Sequence, residues 1–515
     1  MVKMGSRQKV YFLNLDVLKM MAGVELSSLK RTKIFCDYLE LDTSFLTIGF
    51  NNRFSDCVSQ AKLSNRCSQR LIAESMYDYI LNIDVSSGEK ISREDLYSAK
   101  VIEDENNNTD VRLYDELGRF FAFGKGHEDG ALSFANYFEN KRICRRETYD
   151  SRGFVVRSEI IHPRDENSET LVDIFHRPNG SPALIKQGTI EKNVARIDAV
   201  QLIDDKNKLV KVFKNDADLV VHWLTKKAEE NDRTIFIVDR PNELFLPALA
   251  VKNKMPDKVK LVSVIHGIHT GTPDILSSET NGWYKTTLEN LDLCDAVIVL
   301  TEQQKNNIEA RYASAAGKIH VIPHAVPQKE MVPKSGERRR KKVVYVARFS
   351  PEKRHVLAVE MFKEVLKDEP DAELHFYGFG KTEDDVKNKI ESLKLSNKVF
   401  LHPYSDDVEG IYADAAVSIL TSDTEGFCMG VLESLSCGCP VISFDIKYGP
   451  GAMIENGVNG FLVKPGDAHG FTQRIVEVLK NDELHNQLVK NAPNSVKPYY
   501  ENAVANKWGA LIEKI

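Results

Sequence analysis

The chain has 515 residues, of which 42% are hydrophobic and 28% charged, with a net charge of −6. That length is too great for one core and calls for two or three domains. The charge excludes a strongly basic binder of nucleic acid or membrane surfaces, although basic patches fit within a balanced total. No apolar run approaches the roughly 20 residues that span a bilayer. The eight cysteines are scattered, and the close pair Cys437 and Cys439 has no matching second pair. Reduced thiols in the cytoplasm are therefore expected, and no zinc site.

In chain order, Lys9–Leu15 reads as a strand, since Asn14 and Asp16 interrupt the apolar run and no small-residue cleavage site follows. A glycine-containing loop, "KMMAGVE", leads into a helix over about 26–39, and "DTSFLTIGF" follows as a second strand. Together they open a βαβ unit. Residues 85–210 have a different texture. Short alternating runs such as "DVRLY", "RFFAFG", "GFVVRSEII", "TLVDIFH" and "AVQLID" are separated by the turn signals "YDELGR", "YDSRGF", "HRPNGSP" and "DDKNK". That spacing predicts hairpins, and the aromatic and β-branched content excludes a disordered insert. An antiparallel β-meander inserted into the first α/β domain is expected. Within it "NNNTD", 106–110, reads as a polar turn and not as a metal loop.

The near-continuous apolar runs "RTIFIVD", "VKLVSVIH", "DAVIVLT" and "GKIHVIPHAV" suit parallel strands covered on both faces. "GERRRKK", 336–342, reads as a basic hinge. A second series follows in "VVYVAR", "ELHFYGFG", "VFLHPY", "AVSILTS" and "PVISFD", alternating with helices. Two doubly wound, Rossmann-like α/β domains facing a cleft are expected. The organisation is 1–84 with 211–335 as an acceptor-side domain and 85–210 as its insert. Residues 336–495 form a nucleotide-sugar domain, and 496–515 a C-terminal helix crossing back to the first domain.

Two stretches carry chemistry. In "VVYVARFSPEKRH", Ser350 and Pro351 read as a helix start. Cations are disfavoured at that end of the dipole, yet Arg348, Lys353 and Arg354 cluster there. A diphosphate between helix end and cations removes the conflict; solvated surface cations are the alternative. In "EGFCMGVLESLSCGCPVISFD", Glu425 stands at a helix start and Glu433 recurs eight residues on. Eight helical residues rise about 12 Å, comparable with the span from a nucleotide ribose across two phosphates to an attached sugar. Gly426 and Gly430 allow close approach of ligand and backbone. Each carboxylate alone has an ordinary explanation. All four charged groups at one cleft point to a nucleotide-sugar.

The E-x7-E after a strand, with the Arg and Lys of "ARFSPEK", resembles the retaining GT-B glycosyltransferases of family 4, strongly over about 340–495 and more loosely in the N-terminal half. "DIKYGP", "YGFG" and the β-rich insert are similar to the bacterial subgroup that glycosylates serine-rich or Ser-Asp-repeat surface proteins before export. They are equally similar to the sister subgroup that places α-linked sugars on wall teichoic acid. The resemblance implies that Arg348 and Lys353 hold the donor diphosphate. It implies that Glu425, with Gly426 and Phe427, meets the donor sugar, that Glu433 takes the ribose and that Tyr404 holds the uracil. Gly23 would approach the phosphates, and His266 would stand near the reacting sugar, with His269 toward the acceptor. Many relatives carry a double glycine where this chain has Ala22–Gly23.

The resemblance further implies transfer with retention from a UDP-sugar, GlcNAc or glucose, without a metal cofactor. Two acceptors remain open: Ser/Thr hydroxyls of a serine-rich adhesin, or poly(glycerol/ribitol-phosphate) teichoic acid. A non-catalytic recruiting subunit and a UDP-sugar epimerase are the rival classes. A homo-oligomer through the insert is expected, with no nucleic acid and no membrane span.

Overall fold

The computed structural model describes residues 8–21, 23–83, 100–104, 107–114, 117, 119–126, 132–161, 170–191, 194–272, 274, 278–328 and 339–515. These fall into two units. One draws on Met1–Met21, Thr43–Phe236 and Leu246–Val259, the other on Ala22–Asp42, Ile237–Phe245 and Lys260–Ile515.

In the first unit, β1 (Gln8–Asn14) pairs in parallel with β2 (Thr43–Thr47), and β2 with β3 (Ile72–Ser75). Val10, Tyr11, Phe12 and Leu13 are all buried, as a strand covered on both faces requires. Ten strands follow as one antiparallel meander: β4 (Lys100–Asp104), β5 (Asn107–Tyr114), β6 (Phe120–Gly126), β7 (Leu132–Glu139), β8 (Arg142–Tyr149), β9 (Val155–Ile161), β10 (Thr170–His176), β11 (Pro182–Glu191), β12 (Val194–Ile203) and β13 (Leu209–Phe213). Each bonds only its sequence neighbours, so β4 and β13 are the edges. The predicted turns at "YDSRGF", "HRPNGSP" and "DDKNK" are closed by backbone bonds from Asp150, Arg177 and Asp204 to Phe154, Ser181 and Lys208. "YDELGR" lies partly outside the described residues. "NNNTD" is not a turn: from Asn107 it is the start of β5, because pairing with β4 overrides the weak strand preference of asparagine. β14 (Arg233–Val238) brings the chain back to a parallel strand beside β1.

In the second unit, β15 (Val259–Val264), β16 (Ala296–Val299) and β17 (Ile319–Val321) pair in parallel. A six-stranded parallel sheet follows, made of β18 (Arg339–Val346), β19 (Glu373–Tyr377), β20 (Val399–His402), β21 (Ala415–Leu420), β22 (Val441–Phe444) and β23 (Gly460–Val463). Its order is β20-β19-β18-β21-β22-β23. Helices between successive strands make it doubly wound. The basic "hinge" is half strand: residues 339–342 belong to β18. Their charge is matched within the fold, Lys342 by Asp414 at 2.8 Å, Arg340 by Asp482 at 2.8 Å and Lys341 by Glu369.

Three helix boundaries differ from those expected. The first helix is Val24–Lys33, beginning two residues early and ending in a wide π turn at Ile34–Tyr38. Ser350 does not open a long helix. Pro351–Lys353 is a single 3₁₀ turn, Arg354 is left-handed at φ 53°, and the helix proper is His355–Asp368. The hydroxyl of Ser350 goes to Glu352 at 2.6 Å instead of to a backbone N–H. Glu425 likewise lies in a loop, since the next helix is Met429–Ser436 after a left-handed Cys428. The eight-residue spacing is therefore only half helical.

The C-terminal helix Glu501–Lys514 packs within the second unit on the first helix. Trp508 is buried edge-on to Phe35 at 5.1 Å, with the Arg31 guanidinium 5.5 Å from its ring. Among the described residues no helix is long and apolar enough to cross a membrane.

Candidate active site

The loop leaving β18 is laced to the loop leaving β19. Ala347 N–H donates to the Tyr377 carbonyl at 3.1 Å and Phe349 N–H to the Phe379 carbonyl at 2.8 Å. This is why "YGFG" needs its glycines: a Cβ on Gly378 would stand 2.0 Å from the Ala347 oxygen, and one on Gly380 2.3 Å from that of Phe349. Arg348 leaves this loop half-exposed and, among the described residues, pairs only with Glu352 at 3.4 Å. Tyr404, after β20, meets Phe379 edge-on at 5.9 Å.

The backbone of Lys353 is pinned from below. Its carbonyl accepts from the Tyr345 hydroxyl at 2.7 Å and the Thr421 hydroxyl at 2.9 Å. Its ammonium lies on the Glu425 carboxylate, which also accepts from Ser422 at 2.7 Å. Burial opposes charge on Lys353, but Glu425 outweighs it and holds the ammonium above the ordinary lysine range. Lys353 and Glu425, expected to act on diphosphate and donor sugar, are thus brought together as one ion pair.

Gly426 seats this loop on the strand end of β15. A Cβ there would be 1.8 Å from the His266 carbonyl oxygen. His266 is therefore in the same place as Glu425. Its ring Nε2–H donates to Asp239 at 2.7 Å, leaving Nδ1 buried with no hydrogen-bond partner among the described residues. Asp239 also accepts from Arg31 at 2.9 Å and Ser28 at 2.6 Å, both on the first helix. Burial would raise the Asp239 carboxyl, but Arg31, with His266 and Ser28, holds it well below the usual range. Burial in turn lowers His266, against the pull of Asp239, so its neutral form prevails. The ring stacks on His324 at 5.5 Å.

Sequence reasoning missed Asp239, Arg31, Ser28 and His324. Asp239 had a signal: it closes "RTIFIVD", a polar residue at the carboxyl end of a parallel strand. Arg31 and Ser28 looked like an ordinary helix surface.

Other expected residues divide. Glu433, on Met429–Ser436, faces Lys30 at 3.0 Å. Gly23 precedes the first helix at φ 65°, with open space where a Cβ would be, so a ligand can approach. Phe427 is 2% exposed, its ring packed on His324 and Tyr499, so that ring contributes packing and no ligand contact. His269 is fully buried and stacked on Tyr448 at 6.0 Å, and so does not line an open face. Burial, then Arg311 and Lys447, lower it to about 4.

A doubly wound nucleotide sheet whose loops carry a lysine–glutamate pair, next to a carboxylate-held histidine at a second strand end, defines a GT-B glycosyltransferase. The family model described as "Glycosyl transferases group 1" matches residues 327–495. The chain belongs to a family of accessory Sec system proteins, whose model matches residues 111–408, more than half its length.

Among characterised proteins it is 24% identical to the poly(ribitol-phosphate) alpha-N-acetylglucosaminyltransferase of Staphylococcus aureus (strain COL), over 97% of this chain and 99% of that one. It is also 24% identical to the UDP-N-acetylglucosamine–peptide N-acetylglucosaminyltransferase GtfA subunit of Streptococcus gordonii, over 73% and 75% respectively. The solved structure of the pneumococcal O-GlcNAc transferase GtfA, in complex with UDP and GlcNAc, shares the fold at a TM-score of 0.85. Identity there is 18%, covering 99% of both chains.

Proposed function

We propose that this glycosyltransferase moves a sugar, GlcNAc in preference to glucose, from a UDP-sugar to Ser/Thr hydroxyls of a serine-rich surface protein in the cytoplasm, with retention. The observation that carries the donor reading is the buried Lys353–Glu425 pair seated by Gly426 on His266. The Lys353 ammonium, with Arg348, neutralises the leaving diphosphate, while Glu425 accepts from sugar hydroxyls. Retention follows from front-face displacement, in which the acceptor oxygen bonds the anomeric carbon as the UDP oxygen leaves with the acceptor proton. The cations supply the charge a metal would, so transfer persists in excess EDTA.

A protein acceptor is favoured by the fate of the insert's basic residues. Arg157 forms two bonds of 2.7 Å to Asp173, Arg146 binds Asn136 at 2.8 Å, and Arg145 lies 4.1 Å over Tyr137. Arg177 bonds the Pro182 and Ile203 carbonyls, and Lys186 pairs with Asp216 at 2.7 Å. These cations serve the sheet, which leaves them poorly placed to neutralise a polyanion. Teichoic acid is the alternative, favoured by the end-to-end similarity to the poly(ribitol-phosphate) enzyme. The insert serves acceptor binding or self-association. Leu209, Val210 and Val212 on edge strand β13 are all more than half exposed, a surface suited to a second copy.

The test offers a Ser-rich peptide and purified teichoic acid, each with UDP-GlcNAc and UDP-glucose, at low and high salt. GlcNAc on the peptide with weak salt dependence is expected. Modification of teichoic acid alone, steeply inhibited by salt, establishes the alternative.

A further inference from the structure

We propose that Lys30 is the positioning residue through which Glu433 reads a ribose diol, so that the site distinguishes ribonucleoside diphosphates from their 2′-deoxy counterparts. This rests on the reading of Glu433 as the ribose-binding carboxylate. The Lys30 ammonium lies 3.0 Å from Glu433 Oε1, and the side chains are 39% and 23% exposed. Among the described residues the other oxygen, Oε2, accepts no hydrogen bond. Lys30 fixes one carboxylate oxygen and keeps the group ionised, while the second is presented outward. A diol donates two hydrogens side by side, and a carboxylate held in one rotamer accepts them without first losing its own freedom.

The contact is weak as a stabilising element, because half-exposed ion pairs contribute little to folding. Its value changes when a nucleotide covers it. Water is then excluded and the charge-assisted bonds strengthen. The same helix holds Asp239 through Ser28 and Arg31, so Lys30 leaves a surface that is already fixed. Nothing in the ordinary requirements of an amphipathic helix asks for a lysine at this position to meet a glutamate 403 residues away.

The experiment titrates UDP and 2′-deoxy-UDP into the full-length wild type, Lys30→Gln and Lys30→Arg by calorimetry. Lys30→Gln is expected to weaken UDP about tenfold while 2′-deoxy-UDP weakens no more than about threefold, so the preference for ribose collapses. Lys30→Arg, which keeps the charge, retains most of that preference. An unchanged melting temperature confirms the fold. Equal loss for both nucleotides means that Lys30 acts on the phosphates and overturns the inference. Tighter UDP binding, which would make Lys30 a competitor for Glu433, overturns it too, as does no change. Failure of the wild type to bind UDP removes the donor reading itself and is separable, because it needs no variant.

Discussion

Gly426 lies against the carbonyl of His266 so closely that a β-carbon would stand 1.8 Å from the oxygen and 2.8 Å from the Gly267 Cα. Backbone, not a flexible side chain, occupies that space, so the loop cannot accept even alanine without moving. Gly426→Ala is expected to cost about 1–3 kcal/mol of stability. It should also shift Glu425 away from His266. Transfer should fall more than about tenfold, since small displacements of positioned groups are costly in rate. Thermal unfolding and initial rates check both. Wild-type turnover would show that the two loops need not touch.

Asp239 links the first helix to the histidine. Asp239→Asn leaves the Arg31 guanidinium, 7% exposed, without its carboxylate. Breaking such a pair costs about 3–5 kcal/mol. The amide can also present its NH2 to His266 and reverse the ring's tautomer. Turnover should drop about a hundredfold or more, by analogy with other carboxylates that fix a histidine tautomer. UDP affinity should change little, because Lys353 and Glu433 do not depend on Asp239. A loss seen in UDP affinity, with turnover intact, would reassign Asp239 to nucleotide binding.

The strands were legible because parallel strands buried on both faces are near-continuous apolar runs. The meander was legible because its turns carry Asn, Gly and Asp at hairpin spacing. Boundaries set by tertiary contact were not. "GERRRKK" has the composition of a linker, yet each of Arg340, Lys341 and Lys342 finds a carboxylate elsewhere in the sheet domain and becomes strand. Ser350 looks like a cap, but its hydroxyl is taken by Glu352. Glu425, Lys353 and His266 were visible because charged or imidazole groups at strand ends stand out from apolar neighbours. Ser28, Arg31 and Lys30 were not, because a polar helix face reads as solvated until its partners, here Asp239 and Glu433, are known.

Lys353 and Glu425 are 17% and 11% exposed, so their pairing bears on stability as well as on transfer. Lys353→Met or Glu425→Gln alone leaves one group without its partner and should destabilise by about 2–3 kcal/mol. The double variant should cost less than the sum, with a coupling of about 1–3 kcal/mol. All three should lack transfer. Chemical unfolding of the four proteins provides the cycle. Strict additivity would mean that the two groups do not interact in solution.

His355 provides a pH test. Its ring is sandwiched by Tyr345 and Phe349, both 4.6 Å away, and neither nitrogen has a hydrogen-bond partner among the described residues. Burial, then the Lys353 charge, lower it to about 3. A histidine depressed on folding contributes stability that is fully present above its unfolded value of about 6.5. That contribution is lost as the pH falls from there toward about 3, since the unfolded chain binds the proton first. The loss amounts to about 2 kcal/mol by pH 5. His355→Phe keeps an aromatic ring between Tyr345 and Phe349 and cannot titrate. Its stability relative to wild type should therefore improve by about that amount between pH 7.5 and pH 5, whichever protein is the more stable at neutral pH. Denaturant unfolding at both pH values measures the difference. A constant offset between the two proteins would mean that His355 is protonated in the folded state, with water or a carboxylate reaching its ring.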